Sequence, residues 1–313
     1  MPGIQPIHEW KLDGEVAAME WSRDGSVIAA GLVSGEIVLV DPETWKVSAR
    51  FTAAKVQVTG VCFSPDGKML ACRFASDTVS LFNVKTQILA RQIQLPEESW
   101  SNSIEFSADG KLFCIGSNDG DVSLYSTETW AVVARFREAD ARLIAPDSTP
   151  IISTTAFHPN SRKVAVGIKS GALLLSANGL VEEKGFPTTE CAVYTMAFTR
   201  DGKLLATAGP NVQIWNIAGQ GEPLSIPREF PGSVCHLDFS DDGKFLLIPY
   251  DTGTGRQSIV AVYSLEHGKT VVHFPCRTNI LAGACFIPNT HRIATAAKDG
   301  TILEWSVNLE EPK

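Results

Sequence analysis

A five-residue phrase, Phe63-Ser64-Pro65-Asp66-Gly67, constrains this chain more than anything else in it. An apolar strand, Val61-Cys62-Phe63, runs into the phrase, and a second, Met69-Leu70-Ala71-Cys72, runs out of it. A third, Thr78-Val79-Ser80-Leu81-Phe82-Asn83, follows after Ala75-Ser76-Asp77. Pro sets φ at one corner of the turn and Gly takes the left-handed corner that closes a hairpin. Related phrases follow aromatic anchors at Trp21, Phe63, Phe106, Phe157, Phe198, Phe239 and Phe286. The turns after them read Ser-Arg-Asp-Gly, Ser-Pro-Asp-Gly, Ser-Ala-Asp-Gly, His-Pro-Asn-Ser, Thr-Arg-Asp-Gly, Ser-Asp-Asp-Gly and Ile-Pro-Asn-Thr.

Successive anchors lie 42, 43, 51, 41, 41 and 47 residues apart. A period of roughly 40–45 residues holding several short strands is the mark of a β-propeller blade. The expected fold is therefore all-β, a propeller of seven four-stranded antiparallel blades. Seven blades at this period use nearly all of residues 1–313, so a single domain is expected. The last blade, residues 281–307, has only three strands, and residues 4–12 form a lone strand before the first anchor. The N-terminal strand is predicted to pair as the outer strand of blade seven, since ring closure removes open sheet edges. The long period of 51 comes from the connection at residues 137–150, and that of 47 from an insertion at residues 251–257.

Charge and cysteine usage limit the partners and compartment. A formal charge of −8 with no basic run argues against nucleic acid as the main partner. Seven scattered cysteines without a Cys-x-x-Cys pair suit reduced thiols, and Cys62, Cys235 and Cys285 fall where a first strand wants a small buried hydrophobe. The start carries Pro2, Pro6, His8 and Glu9 in place of an apolar core, so no signal peptide is expected. No apolar run reaches the roughly 18 residues of a membrane span. A cytoplasmic protein is expected, with the nucleus as the other reducing compartment.

Leu204-Leu205-Ala206-Thr207-Ala208-Gly209 with Val212-Gln213-Ile214-Trp215-Asn216 resembles the WD-repeat β-propeller family. So does Ile293-Ala294-Thr295-Ala296 with Asp299-Gly300-Thr301-Ile302-Leu303-Glu304-Trp305-Ser306. The resemblance covers essentially the whole chain, although no Trp precedes Asp and no Gly-His pair opens a blade. It implies that the family's buried Trp–Ser/Thr–His–Asp network is absent or fragmentary here, and that apolar packing holds the blades. It also implies that binding uses the face formed by the inter-blade connections and the second-to-third strand turns. Those loops hold Arg73, Phe74, Trp100, Lys169, Tyr250, Arg256, Arg277 and Lys298, the candidate partner-binding residues. Phe74 could equally pack between blades and Trp100 cover a seam. At the opposite end Trp45 and Trp130 occupy matching corners, Glu43-Thr44-Trp45 and Glu128-Thr129-Trp130, and are expected to pack flat on their own blades.

Catalytic signals are sparse. Asp251-Thr252-Gly253-Thr254 matches one half of an aspartic-protease signature, but that chemistry needs two carboxylates sharing a proton. The six histidines have no ligand spacing, and Asp-Gly pairs are explained by hairpin turns. No cofactor, metal or catalytic residue is predicted. The expected function is a non-enzymatic scaffold, monomeric on its own, that binds a partner protein or peptide within a multiprotein complex. The alternative is a propeller hydrolase or lyase with a metal in the central channel. It would have to draw on the few inner-strand acids, Glu20, Glu105 and Asp238.

Overall fold

The computed structural model describes residues 4–96, 101–144, 151–188, 192–219, 221–234, 236–253, 257–276 and 280–309. After β1 (Pro6–Lys11), blade one comprises β2 (Val16–Trp21), β3 (Ile28–Leu32), β4 (Glu36–Asp41) and β5 (Lys46–Thr52). Blade two is β6 (Val58–Phe63), β7 (Met69–Phe74), β8 (Thr78–Asn83) and β9 (Leu89–Gln94). Blade three is β10 (Ser101–Phe106), β11 (Leu112–Ser117), β12 (Asp121–Ser126) and β13 (Val132–Arg137), followed by one turn of 3-10 helix at Glu138–Asp140. Blade four is β14 (Thr154–Phe157), β15 (Lys163–Ile168), β16 (Gly171–Ser176) and β17 (Glu182–Pro187). Blade five is β18 (Thr195–Phe198), β19 (Leu204–Ala208), β20 (Val212–Asn216) and β21 (Leu224–Ile226). In blade six the inner strand is two short pieces, β22 (Ser233–Val234) and β23 (Asp238–Phe239), both paired to β24 (Phe245–Asp251), then β25 (Ile259–Ser264) and β26 (Lys269–Pro275). Blade seven is β27 (Leu281–Phe286), β28 (Ile293–Ala297) and β29 (Thr301–Trp305).

Seven separate antiparallel sheets result, and inner strands of successive blades touch from β2 round to β27 and back to β2. The predicted closure is present. β1 lies antiparallel on β29, with Trp10 opposite Ile302 and Lys11 opposite Thr301. Lys11 Nζ also donates to Asp299 Oδ2 at 2.9 Å, tying the strand to the turn before β29.

The recurring turn phrase works as a small hydrogen-bonded unit. Ser64 Oγ donates to Asp66 Oδ1 (2.7 Å), Lys68 N donates to the same oxygen (3.1 Å), and Met69 N donates to Ser64 Oγ (2.9 Å). Gly67 takes φ +68°, which an L side chain rarely adopts. The same Ser/Thr–Asp bond recurs at Ser22–Asp24, Ser107–Asp109, Thr199–Asp201 and Ser240–Asp242. In blade four, Asn160 N donates instead to His158 Nδ1 (3.2 Å).

The core is distributed over the seams. One cluster joins Ala29, Ile37 and Leu39 of blade one to Phe63, Leu70, Phe74 and Phe82 of blade two. Middle strands are therefore buried on both faces, as β3 is along its whole length, whereas outer strands such as β5 are largely exposed. Among the described residues two buried indoles bond to a threonine of the adjacent strand: Trp215 Nε1 donates to Thr207 Oγ1 (3.0 Å) and Trp305 Nε1 to Thr295 Oγ1 (2.9 Å). Trp45 and Trp130 correct the expectation that they lie on their own blades alone. Trp45 lies 6.3 Å from Trp10 of β1 as well as 6.3 Å from Trp21 of its own blade. Trp130 packs on Phe113 and receives Arg91 of blade two at 6.0 Å, so both rings bridge to the preceding blade.

A candidate binding site at the mouth of the central channel

Where the innermost strands begin, the ring encloses a cavity of about 390 Å3 lined by residues from every blade. Arg73 supplies its cation. It stands on β7 opposite Gly60 of β6, and its side chain lies across that glycine. A Cβ at Gly60 would sit 2.4 Å from Arg73 Nε, so only glycine leaves room for this path. Arg73 Nη2 donates to Thr59 O at 2.9 Å, which holds the guanidinium at the wall. Burial lowers its pKa to about 10, so it remains charged at neutral pH.

Around Arg73 the lining is polar. Ser103 and Ser153 contribute hydroxyls, His236 an imidazole and Tyr194 a phenol that is 52% exposed. His236 is exposed to the channel, and desolvation within it lowers the His236 pKa, which favours the neutral ring. Ser103 Oγ shares a hydrogen bond with Thr155 Oγ1 (2.8 Å), so neighbouring blades fix each other's lining groups. A recessed guanidinium among hydroxyl and ring donors suits a carboxylate, phosphate or carbonyl presented by an inserted side chain.

The sequence-predicted residues separate into three groups. Arg73, Lys169 and Lys298 do lie at this end of the blades: Lys169 is exposed in the β15–β16 turn, and Lys298, before β29, reaches Glu15 Oε2 at 3.9 Å. Phe74 and Tyr250 are core residues, 1% and 3% exposed, and are withdrawn from the contact surface. Alternation explains Phe74: Arg73 faces the channel, so its neighbour turns into the seam between blades one and two. Tyr250 is covered by Phe230, with ring centroids 5.5 Å apart. Trp100, Arg256 and Arg277 lie outside the described residues. Sequence reading missed Tyr194 and His236. Both lie at the entry to an inner strand, where a polar residue in an otherwise apolar run was the available signal.

The inner-strand acids are each engaged by the main chain of the next blade along. Glu20 Oε2 accepts the Phe63 N–H (2.9 Å), Glu105 Oε2 the Phe157 N–H (2.7 Å) and Asp238 Oδ2 the Phe286 N–H (2.8 Å). Each acid thus reaches from one blade to the anchor residue of the next. Burial raises Glu20 and Glu105 to about 8 and Asp238 to about 7. Among the described residues no group of three or more His, Cys, Asp and Glu is arranged to hold a metal ion. Asp251, from the protease-like motif, caps its own loop: Oδ1 accepts from Gly253 N (3.0 Å) and Ser258 Oγ (3.2 Å). Among the described residues no helix is long and apolar enough to cross a membrane.

Comparison with known proteins agrees with this architecture. The model of the WD domain, G-beta repeat, matches residues 45–83 and 93–126. Telomerase protein component 1 of Mus musculus is 25% identical over 82% of this chain, which spans 9% of that protein. Apoptotic protease-activating factor 1 of Danio rerio is 24% identical over 97% of the chain, which spans 24% of it. Transcription initiation factor TFIID subunit 5 of Caenorhabditis elegans is 24% identical over 80%, and the chain spans 42% of its length. Among solved structures, the β-propeller domain of Myceliophteria thermophila Cps50 (Swd1) superposes with a TM-score of 0.80 at 15% identity, covering 96% of this chain and 100% of that one.

Proposed function

Because the chain is a divergent WD-repeat β-propeller, we propose that it is a non-catalytic interaction module that takes a partner protein at the mouth of its central channel. The observation that carries this reading is Arg73, a charged guanidinium recessed in a 390 Å3 cavity to which all seven blades contribute. A rigid scaffold with a small polar cavity and few acids available for chemistry favours recognition over turnover. Partners within a multiprotein assembly are in keeping with the family; a relative named as a TFIID subunit belongs to one. On this reading residues 1–313 act as one propeller, in the cytoplasm or nucleus. Lys169 and Lys298 at the rim, with Trp100, Arg256 and Arg277, are proposed to complete the contact surface around Arg73 and Tyr194.

The test is chemical cross-linking and quantitative capture of partner proteins by wild type, Arg73→Ala and Tyr194→Ala. Capture should fall by about tenfold or more for Arg73→Ala, as for a buried charged anchor. Cross-links should cluster at Lys169 and Lys298. Undiminished capture by Arg73→Ala, with cross-links on the opposite face, overturns the reading.

A further inference from the structure

The connection between blades three and four builds a second feature, on the outer rim and away from the channel. It is fastened at several points. Glu138 N donates to Gly120 O (2.9 Å), and the buried Glu138 carboxylate accepts the Ile151 N–H (2.5 Å). Glu182 of β17 accepts the N–H groups of Arg142 (2.9 Å) and Leu143 (2.8 Å). Ile144 is buried among the residues of the blade three–four core. Residues 143–144 cross so close over β17 that a Cβ at Gly185 would meet them at 3.1–3.3 Å. Between this pinned strap, the corner at residues 180–182 and β13 lies an open groove of about 740 Å3.

Three arginines and two acids line the groove, a local excess of one positive charge in a chain of net charge −8. Arg135 and Arg137 stand two apart on β13 and are exposed, with Phe136 buried between them, so strand alternation puts both guanidinium groups on one face. Arg142 joins them from the strap, where the Glu182 bonds hold its backbone still. Asp121 Oδ1 meets Arg137 Nε at 3.2 Å and steadies it. The two acids beside the three arginines are Asp140 and Glu182, and Glu182 keeps its charge while it accepts the strap's N–H groups. Two apolar side chains complete the lining, Leu143 at 50% and Val181 at 63% exposure. β13 has β12 on one side and, among the described residues, no strand on the other.

We propose that this groove binds an extended acidic segment of a partner protein, with an acid-x-acid pattern beside an apolar residue. An extended ligand repeats its side chains every second residue, about 6.5–7 Å apart, which matches the spacing of Arg135 and Arg137. Its backbone pairs with the open edge of β13, its two carboxylates meet those arginines, and Arg142 closes on the second acid. The apolar residue covers Leu143 and Val181. This surface is independent of the channel site and does not rest on it.

The test is fluorescence anisotropy on the full chain with a labelled peptide, Gly-Leu-Glu-Val-Glu-Leu-Glu-Gly, and its Glu-to-Gln counterpart. The acidic peptide should bind about tenfold or more tightly than the Gln peptide, and its affinity should fall as salt rises. Arg135→Glu/Arg137→Glu/Arg142→Glu should abolish the difference, while Arg73→Ala leaves it unchanged. Should the triple variant lose its cooperative melt, Arg142→Glu alone, on an exposed side chain, should weaken the acidic peptide by about threefold or more. No binding of the acidic peptide, equal binding of both peptides, unaltered binding to the folded charge-reversal variant, or loss with Arg73→Ala each overturns the proposal.

Discussion

Trp45, Gln87, Trp130 and Leu180 hold φ between 52° and 59°, a conformation that glycine takes more readily. All four sit at the corner between the third and fourth strands of their blades, where blade six has Gly268 at φ 62°. The N–H of the corner residue donates to the residue four back, as in Trp45 N to Asp41 O (2.8 Å) and Gln87 N to Asn83 O (2.8 Å). The turn therefore demands the backbone angle whatever the side chain, at about 1–2 kcal/mol for an L residue. What offsets it differs. Trp45 gains its contacts with Trp10 and Trp21, whereas the Gln87 side chain, among the described residues, makes local bonds to Val84 O (3.1 Å) and Lys85 O (3.0 Å). Gln87→Gly is accordingly expected to stabilise by about 1 kcal/mol. Trp45→Gly is expected to destabilise by about 2 kcal/mol net, because aromatic burial across the seam outweighs the relieved strain. Calorimetric melting of the two variants checks the opposite signs; a shared sign contradicts the account.

At the scale of the element, the acid latches set how one blade grips the next. Glu20, Glu105 and Asp238 each precede an anchor aromatic and accept the N–H of the following blade's anchor. In blade two the equivalent residue is Cys62, whose sulfur lies beside the Phe106 N–H. The groups facing Glu20 are Glu105, Cys62, Cys72 and Cys285, and Asp241 faces Asp238; none is a cation. Burial therefore dominates and raises both glutamates from 4.5 to about 8. For a carboxyl raised on folding, the stability contribution is full below the unfolded pKa and is lost as pH rises through the folded one. The ring should thus lose stability progressively from about pH 4.5 to about pH 8, as the unfolded chain ionises first. Glu20→Gln/Glu105→Gln keeps an acceptor for each N–H while removing the titration. Its melting temperature should vary less with pH than wild type and exceed it above pH 8. Glu20→Ala, which leaves the Phe63 N–H unpaired, should cost about 1–3 kcal/mol below about pH 4.5, where the wild-type carboxyl is neutral in both states. A wild-type melting temperature that rises between about pH 5 and pH 8 would falsify the buried-neutral assignment.

The whole molecule depends on one join between distant parts of the chain. β1 supplies the fourth strand of blade seven and buries Trp10 against the blade one–seven core. Removing residues 1–11 exposes the edge of β29 and breaks the contact of Trp45 with Trp10. The truncated chain should aggregate or lose its cooperative melt. Light scattering and calorimetry read both, and a monomer with unchanged melting contradicts closure as the source of cooperativity. Supplied in trans, a peptide of residues 4–12 should restore the melt, since edge pairing needs no covalent link.

The number of blades, the hairpin turns and the N-terminal closure were legible in the sequence because each is local or periodic. A Ser-x-Asp-Gly turn folds the same way wherever it occurs, and a spare strand at one end answers a missing strand at the other. Direction was not legible. Arg73 and Phe74 are neighbours in a loop-rich stretch, and only the registry of β7 against β6, with Gly60 clearing a path, turns one to the channel and the other into the seam. Tyr250 reads as an exposed loop aromatic until Phe230, twenty residues earlier, covers it. The carboxylates of Glu20, Glu105 and Asp238 look available for chemistry until their partners appear, and those partners are backbone N–H groups more than forty residues away. A main-chain donor leaves no trace in residue identity, so its pairing is decided only when the ring closes and brings adjacent blades into contact.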